Sequence, residues 1–218
     1  MGEILQKLIF QRVEEPLKKV EGGVGIDLPD DGAIIPVGER RLVVSTDSYT
    51  VNPIFFPGGN IGILAACGSI NDVLMMGARP IAMLDCVVVE EGFPVDELST
   101  IINSMLDVLR KEGIPLVGGD FKVMPRGMLD RVVITTTCIG EVIKPIVDAN
   151  IRVGDRIIVS GNLGEHGAAI LMSQKGLEVE AELKSDVRAL TELMIPLLEE
   201  YGAYINAARD PTRGGLAM

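Results

Sequence analysis

Residues 44–62, VSTDSYTVNPIFFPGGNIG, decide how the first part of the chain folds. A strand rich in β-branched residues leads to the carboxylate of Asp47, and two adjacent phenylalanines, Phe55 and Phe56, precede a Pro-Gly-Gly turn. Such turn residues after an apolar strand favour a reversal of chain direction. The stretch therefore predicts a strand, a tight turn and the start of a helix, with an acidic side chain where the strand ends.

The flanking segments continue this alternation of strands and helices. Strands are predicted within 33–47 (two strands around a Gly-Glu turn), 79–91, 114–120, 129–143 and 155–160. Helices are predicted at 3–15, 60–78, 94–113 and 185–202, with another after the glycine-rich turn at 161–167. The pattern indicates the α/β class. A cluster of Pro, Asp and Asn at 144–157 interrupts the periodicity, so we predict two domains, 1–148 and 149–218.

Composition excludes several functional classes. Hydrophobic residues make up 47% of the 218 residues, which suffices for a sizeable core. The formal net charge of −11 argues against nucleic acid or an anionic membrane as a main partner. The three cysteines, Cys67, Cys86 and Cys138, are widely spaced and favour neither a disulfide framework nor a metal site. A cytoplasmic location fits these features, and no run of residues is apolar enough to predict a membrane span.

Aspartates recur next to apolar segments. They are Asp30 and Asp31 in PDDGAII, Asp47 in STDSYT, Asp72 in SINDVL and Asp120 in VGGDFK. Carboxylate oxygens suit Mg²⁺ better than Zn²⁺, and neighbouring glycines would let backbone N–H groups approach phosphates. Each aspartate taken alone is more typical of a turn or a helix cap. Together they indicate a metal–nucleotide site, and the absence of a GxxxxGK[ST] loop requires an architecture other than the P-loop.

Four stretches, in this order, carry a family resemblance: FFPGGNIGILAACGSINDVLMMGARP, GGDFKV, SGNLGEHG and DPTRGGLA. The chain resembles the HypE family of hydrogenase-maturation proteins, within the PurM-like superfamily of aminoimidazole-ribotide synthetase and selenophosphate synthetase. The resemblance implies a two-domain α/β (α+β) fold. Its N-terminal ATP-binding domain has a mixed sheet, which pairs with that of a second copy into a barrel in a homodimer.

The resemblance also implies roles for individual residues. The expected Mg²⁺ ligands are Asp31, Asp47, Asp72 and Asp120. The expected ATP and phosphate contacts are Asp30, Asp47, Asn71, Gly118, Gly119, Asp210 and Arg213. Lys122 matches a lysine near the reacting group and is the expected catalytic residue, although a solvated lysine is the alternative. Phe121 stands where the family more often has a small hydroxyl residue, which puts the local phosphate contact in doubt.

The activity implied by the resemblance is ATP-dependent dehydration of a carbamoyl group. That group is carried as a thioester on a C-terminal cysteine, and the thiocyanate product supplies cyanide to the iron of nickel–iron hydrogenase. Phosphoryl transfer of this kind depends mainly on positioning and charge neutralisation. The implied partners are a HypF-like carbamoyltransferase and HypC/HypD-like iron-scaffold proteins.

The sequence also departs from the family pattern. It begins where a His-Gly-Ser-Gly-Gly-type loop would end, and it lacks the remainder of the second domain, including a downstream glutamate and the terminal cysteine. We therefore expect a chain incomplete at both ends, able to bind Mg-ATP weakly but unable to complete the reaction. In an alternative, residues 151–218 form a small appendage on the first domain.

Several further alternatives follow from the sequence. Phe55 and Phe56 could lie at a dimer interface or in an ordinary core. His166 could line a phosphate site or cap a structural turn. The function could instead be that of another PurM-like kinase or synthetase, or of a nucleotide-free dimeric scaffold for maturation partners.

Overall fold

A five-stranded mixed sheet lies at the centre of the protein, whose computed structural model describes residues 6–176, 183–212 and 215–217. The strands of the chain are β1 (Ala33–Val37), β2 (Arg40–Tyr49), β3 (Phe55–Phe56), β4 (Gly59–Asn60), β5 (Ala78–Glu90), β6 (Leu116–Met124) and β7 (Val132–Val142). The large sheet has the order β1-β2-β7-β5-β6, whereas β3 and β4 form a separate two-stranded ribbon. All neighbours in the large sheet are antiparallel except β5 and β6, which are parallel.

Within the described residues, four α-helices accompany the sheet: α1 (Ile61–Met75), α2 (Val95–Glu112), α3 (Glu165–Lys175) and α4 (Thr191–Tyr201). The side chain of Asn60 caps α1, because its Oδ1 accepts hydrogen bonds from the backbone N–H groups of Gly62 and Ile63. Gly62 also permits close contact with α2, since a Cβ at this position would lie 2.1 Å from the carbonyl oxygen of Ile101. The small residues of α1 thus let it pack tightly between the sheet and α2.

The two faces of the large sheet differ in burial. Along β7, residues from Val132 to Gly140 alternate between buried and half-buried, as expected for a strand with one face against helices. Thr136 faces α1, where its Oγ1 donates to the carbonyl of Ala65 at 2.8 Å. The opposite face carries pairs of hydroxyls, Thr46 with Thr137 and Ser48 with Thr135, at 2.8 and 2.7 Å. The core therefore lies between the helices and one side of the sheet.

Most of the predicted elements between residues 33 and 143 are confirmed. The hairpin of β1 and β2, the helix after the Pro-Gly-Gly turn, the long strands β5 and β7, and α2 all form. α2 ends at Gly113, whose φ of 69° is the left-handed conformation that glycine adopts readily. The predicted mixed α/β architecture is confirmed.

Four predicted elements differ from the structure. The predicted helix at 3–15 lies partly outside the described residues, and within them only a five-residue π-helix forms at Gln6–Phe10. Leu8 and Ile9 are about half exposed there, so little tertiary packing stabilises a longer helix. The predicted strand at 155–160 does not form, and Ile157 and Ile158 are largely exposed.

The helix predicted at 185–202 starts six residues late, at Thr191. The reason is that the backbone before it is engaged elsewhere. Ser185 N donates to the carbonyl of Pro57 at 2.8 Å, and Leu190 N donates to Asn71 Oδ1 at 2.9 Å. These contacts hold residues 185–190 against the turn after β3 and against α1.

Strand β6 also differs from its prediction as a short buried strand ending at Asp120. It continues to Met124, and Asp120 lies in its middle, opposite Cys86 of β5. β6 is an edge strand with most of its residues exposed. Glycines next to an aspartate suggested a turn, but an edge strand tolerates them because little packing depends on their side chains.

Candidate metal and nucleotide site

Three aspartates from distant parts of the chain meet at one end of α1. Asp31 precedes β1, Asp72 lies in the last turn of α1, and Asp210 follows α4 in an irregular segment. One carboxylate oxygen of each lies within 4.8 Å of the others. Asp72 is buried and the other two are half-buried. The hairpin, the helix and the C-terminal segment thus each contribute one oxygen ligand to a single point.

The orientation of Asp72 follows from the packing of α1 on β2. Ser45 Oγ donates a hydrogen bond to Asp72 Oδ2 at 2.7 Å, and both residues are buried. One turn earlier on α1, Ser69 Oγ lies 2.7 Å from Thr136 Oγ1 and 3.2 Å from the Tyr49 hydroxyl. These hydroxyl contacts fix the helix against the sheet, so the carboxylate of Asp72 has one defined position.

Asp31 lies in a network of charges. Its Oδ2 is buried and has no hydrogen-bond partner among the described residues. Its Oδ1 lies 3.5 Å from Arg209 Nη2, while Arg209 Nη1 donates to Asp148 Oδ2 at 2.8 Å. Asp30 connects the same elements, since its carboxylate accepts from the backbone N–H groups of Asp31 and Asp148, at 2.9 and 2.8 Å. A buried carboxylate oxygen without a hydrogen-bond partner can serve as a ligand for a cation.

The pKa values of two carboxyl groups are raised well above the usual range. Burial raises the pKa of Asp31 to about 7, with Arg209 opposing the shift and the charges of Asp210, Asp30 and Asp148 adding to it. Burial raises the pKa of Asp72 to about 8; the hydrogen bond from Ser45 opposes this, and the charges of Asp210, Asp47 and Asp31 contribute. Carboxylates that repel one another in a partly dry site favour a bound divalent cation. Their oxygens are the ligands that Mg²⁺ prefers.

Asp47 lies near this cluster but not within it. It is in the interior of β2, two residues before the strand ends at Tyr49, so its predicted place at the strand's end is wrong. It pairs with Thr136 in the β2–β7 register and therefore lies on the sheet face that α1 covers. Its charge contributes to the raised pKa of Asp72. A role for Asp47 toward a metal or phosphate stays a prediction.

The glycines and charged residues of β6 lie at the far edge of the sheet. Gly118, Gly119, Asp120 and Lys122 are all exposed. β6 is three strand positions from β2, which corresponds to about 14 Å at the usual strand spacing. Asp120 Oδ1 accepts from the backbone N–H of Phe121 at 2.9 Å. Within one chain, these residues do not approach the three aspartates closely enough to share a metal ion with them.

Asn71 and Arg213 are also predicted to contact the nucleotide. Asn71 is buried, and its side-chain amide bonds to the backbone of residues 188–190: Nδ2 donates to the Arg188 carbonyl at 3.0 Å, and Oδ1 accepts from Leu190 N. It joins α1 to the segment before α4. Arg213 lies outside the described residues. Nucleotide contacts by either residue stay predictions.

The neighbouring aromatic and histidine residues pack within the chain. Phe56 is buried, and its ring meets that of His166 edge to face, with centroids 5.3 Å apart. His166 Nδ1 lies 2.9 Å from Ser185 Oγ, and burial lowers the pKa of the imidazole. These contacts favour core packing for Phe56 and a structural role for His166 over the alternatives of a dimer interface and a phosphate contact.

The sequence interpretation missed three polar residues: Ser45, Asp85 and Arg209. Ser45 could have been found, because it lies two residues before Asp47 and so shares its face of the strand. Asp85 lines a groove of about 730 Å³ beside β6, with Ile102, Phe121 and the two glycines. The groove needs Gly119, since a Cβ there would lie 1.8 Å from Asp85 Oδ1. Arg209 gave no signal because its partners lie far away in the sequence.

Comparison with known proteins identifies the family. Residues 29–142 match the N-terminal domain of AIR synthase related proteins, and residues 152–218 match their C-terminal domain. The chain belongs to the AIR synthase related protein family. No helix in the described part of the chain has the length and apolar character needed to cross a membrane.

Similar proteins within the family are hydrogenase-maturation proteins. The chain is 43% identical over 219 residues to a putative hydrogenase expression/formation protein of Methanocaldococcus jannaschii, covering all of this chain and 64% of that protein. It is 44% identical over 190 residues to the carbamoyl dehydratase HypE of Cupriavidus necator, covering 86% and 54%. The chain thus spans between just over half and just under two thirds of the length of these relatives. The resemblance to HypE is confirmed.

Solved structures agree with this family. The structure of a HypE–HypF complex matches with a TM-score of 0.83 at 32% identity, covering 98% of this chain and 67% of that one. The structure of HypE in complex with ATP matches with a TM-score of 0.75 at 39% identity, covering 98% and 61%. The fold of this chain is therefore that of HypE proteins across nearly its whole length.

Proposed function

We propose that this chain provides the Mg²⁺- and ATP-binding region of a carbamoyl dehydratase that serves nickel–iron hydrogenase maturation. The observation that carries the proposal is the meeting of Asp31, Asp72 and Asp210 within 4.8 Å. The similarity of the chain to carbamoyl dehydratases and to a HypE protein in complex with ATP supports the same function.

The three carboxylates would hold the metal ion, and Asp31 Oδ2 offers a buried oxygen without a hydrogen-bond partner among the described residues. A bound Mg²⁺ would neutralise the charge of nucleotide phosphates. The chain contributes the positions of the ligands: Ser45 orients Asp72, and the Asp30 carboxylate holds Asp31 next to Asp148 by accepting from the backbone N–H groups of both. Asp47, on the same sheet face, adds negative charge that attracts a cation.

Titration of the chain with Mn²⁺, as a paramagnetic substitute for Mg²⁺, tests the site directly. The Asp72→Asn variant keeps the shape of the side chain and removes its charge, so Mn²⁺ affinity should fall at least about tenfold. Asp107→Asn is the matched control, because Asp107 is an exposed aspartate on α2 paired with Arg110. Equal Mn²⁺ affinity in the Asp72 variant and the wild type would contradict the proposal.

In a homodimer, β6 of one protomer could lie close to the three aspartates of the other, although the two are far apart within one chain. Val117, Phe121 and Val123 are more than half exposed on this edge strand, and long exposed edges tend to pair with another chain. In a homodimer formed through this edge and the open sheet face, Asp120 and Lys122 of one protomer would approach the other's metal site. Lys122 would then place a positive charge near the phosphates.

The dimer can be tested by sedimentation. Phe121→Asp should give a monomer, because a charge would be buried at the paired edge. Leu171→Asp, at an exposed position of α3, should leave the dimer intact. A wild-type chain that sediments as a monomer at all accessible concentrations would contradict the homodimer.

The remaining features follow from the similarity to HypE. We propose a HypF-like carbamoyltransferase as a partner, as in the HypE–HypF complex, and HypC/HypD-like proteins as further partners. The proposed location is the cytoplasm, and the proposed domains are residues 1–148 and 149–218, near the junction of the two family matches. Absence of binding to a purified HypF-like protein in calorimetry would remove the first of these partners.

A further inference from the structure

Arg209 occupies an unusual position beside the three aspartates. It precedes the ligand Asp210, and its guanidinium spans two carboxylates that come from different parts of the chain, Asp31 and Asp148. Asp30 fixes these two partners relative to each other by accepting from the backbone N–H groups of both. The two acceptors are therefore positioned independently of Arg209, which reaches them from the C-terminal segment.

The two contacts of the guanidinium differ in strength. Nη1 makes a hydrogen bond of 2.8 Å to Asp148, whereas Nη2 lies 3.5 Å from Asp31 and makes only an ion pair. The Arg209 side chain is 54% exposed and the Asp31 side chain only 11%. The guanidinium is thus anchored at Asp148, and its second nitrogen can change partner without the loss of a hydrogen bond.

Charge explains why Arg209 contacts Asp31 at all. The carboxylates of Asp30, Asp31, Asp148 and Asp210 are grouped here, and the guanidinium of Arg209 lies between two of them. A divalent cation held by the three aspartates would supply this positive charge in place of Arg209, because it would carry twice the charge of a guanidinium. Arg209 and the cation therefore compete for the same carboxylate.

We propose that Arg209 is the resident counter-ion of the site, which a divalent cation displaces from Asp31 and which then binds a phosphate group of the nucleotide. The inference rests on the proposed function, since it takes the three aspartates as the metal ligands. Guanidinium groups bind phosphate oxygens through paired N–H donors, and the anchor at Asp148 keeps Arg209 beside the site. Arg209 would thus pair with Asp31 before a cation binds and with a nucleotide phosphate afterwards.

Two binding measurements on the full chain test this, and the inference predicts opposite changes in them. In Arg209→Gln, Mn²⁺ alone should bind about two- to fivefold more tightly, because a competing charge is gone. The non-hydrolysable ATP analogue AMP-PNP, with saturating Mg²⁺, should bind about tenfold more weakly, because a charged hydrogen-bond donor to phosphate is lost. Arg79→Gln is the matched control, since Arg79 is an exposed arginine paired with Glu199 and its loss changes net charge equally.

The outcomes separate this inference from the proposed function. If wild-type chain binds no Mn²⁺, both fail. If the wild type binds Mn²⁺ and Arg209→Gln binds it equally or more weakly, only the counter-ion role is wrong; unchanged AMP-PNP affinity would overturn the phosphate contact. Arg209→Lys retains the charge without the paired donors, so it should keep wild-type Mn²⁺ affinity and still weaken AMP-PNP. If the Gln variant does not fold, the AMP-PNP affinity of the Lys variant still tests the phosphate contact.

Discussion

The segment from 33 to 142 and the segment from 151 to 212 contain similar apolar residues but use them differently. In the first, side chains such as Ile70, Met83 and Ile134 are completely buried between the sheet and its helices. In the second, α4 contributes buried apolar side chains, but Ile157 and Ile158 are 78% and 91% exposed. Apolar sequence therefore does not by itself produce burial; an apolar strand also needs a neighbouring strand or helix.

The candidate site connects the two segments. Asp72 is held by the first segment, whereas Asp210 comes from an irregular part of the second, after α4. Binding of a cation by both would stabilise the position of the second segment relative to the first, because ligand binding stabilises whichever arrangement completes the site. The difference between the two segments therefore matters for function as well as for stability.

The largest effect on the free energy of unfolding is expected for a substitution in the core of the first segment. Met83→Ala should lower the free energy of unfolding by about 2–5 kcal/mol, because it leaves a cavity against β7 and the helices. Ile158→Ala should change it by less than about 0.5 kcal/mol, because that side chain is exposed. Urea denaturation followed by circular dichroism measures both, and equal losses would contradict the contrast.

A smaller effect is expected where the two segments join. Asn71→Ala removes the side chain that bonds to Arg188 and Leu190, and it should cost about 1–3 kcal/mol because partly buried backbone groups lose their partners. Hydrogen exchange should show faster exchange in α4, with the central strands unchanged. Asn103→Ala, an exposed control on α2, should leave exchange of α4 as it is. Unchanged exchange of α4 in the Asn71 variant would show that other contacts hold the junction.

The smallest effect concerns the support of Asp72. Ser45→Ala removes the hydrogen bond that favours the ionised carboxylate, so the pKa of Asp72 should rise further and Mn²⁺ affinity near pH 7 should fall by about tenfold or less. Thr46→Ala removes a hydroxyl from the opposite face of the same strand and should have no effect on Mn²⁺. If raising the pH does not restore affinity in the Ser45 variant, its role is structural instead.

The sequence predicted local features better than distant contacts. The hairpin, α1, α2, β5 and β7 follow from periodicity and turn residues, because each is stabilised largely by its own pattern and by one apolar face. The strand at 155–160 has the same kind of pattern but does not form, since no described strand lies beside it.

The candidate site was predictable in part. Asp31, Asp72 and Asp210 were among the predicted metal and nucleotide residues, yet the sequence placed Asp120 with them. Gly118 and Gly119 suggested a strand end, whereas they lie inside an edge strand at the far side of the sheet, so a metal contact by Asp120 stays a prediction that depends on a second copy of the chain. Arg209 and Ser45 act through partners distant in sequence, which no local motif reveals.

The pH dependence of thermal stability with and without Mg²⁺ tests most directly whether Asp31, Asp72 and Asp210 form a cation site, because burial raises the pKa values of Asp31 and Asp72. Because the folded-state pKa values of Asp31 and Asp72, about 7 and 8, exceed their usual value of 3.8, the folded state holds more protons than the unfolded state between these limits. The contribution of these groups to stability is therefore complete below about pH 4 and is lost as the pH rises toward 8.

Mg²⁺ should reverse this loss, because it binds the ionised carboxylates. Saturating Mg²⁺ should raise the unfolding temperature little at about pH 5.5 and clearly at about pH 8.5. The Asp72→Asn variant should show no such difference between the two pH values. An equal effect of Mg²⁺ at both pH values, or none at either, would contradict the claim that Asp31, Asp72 and Asp210 form a metal site.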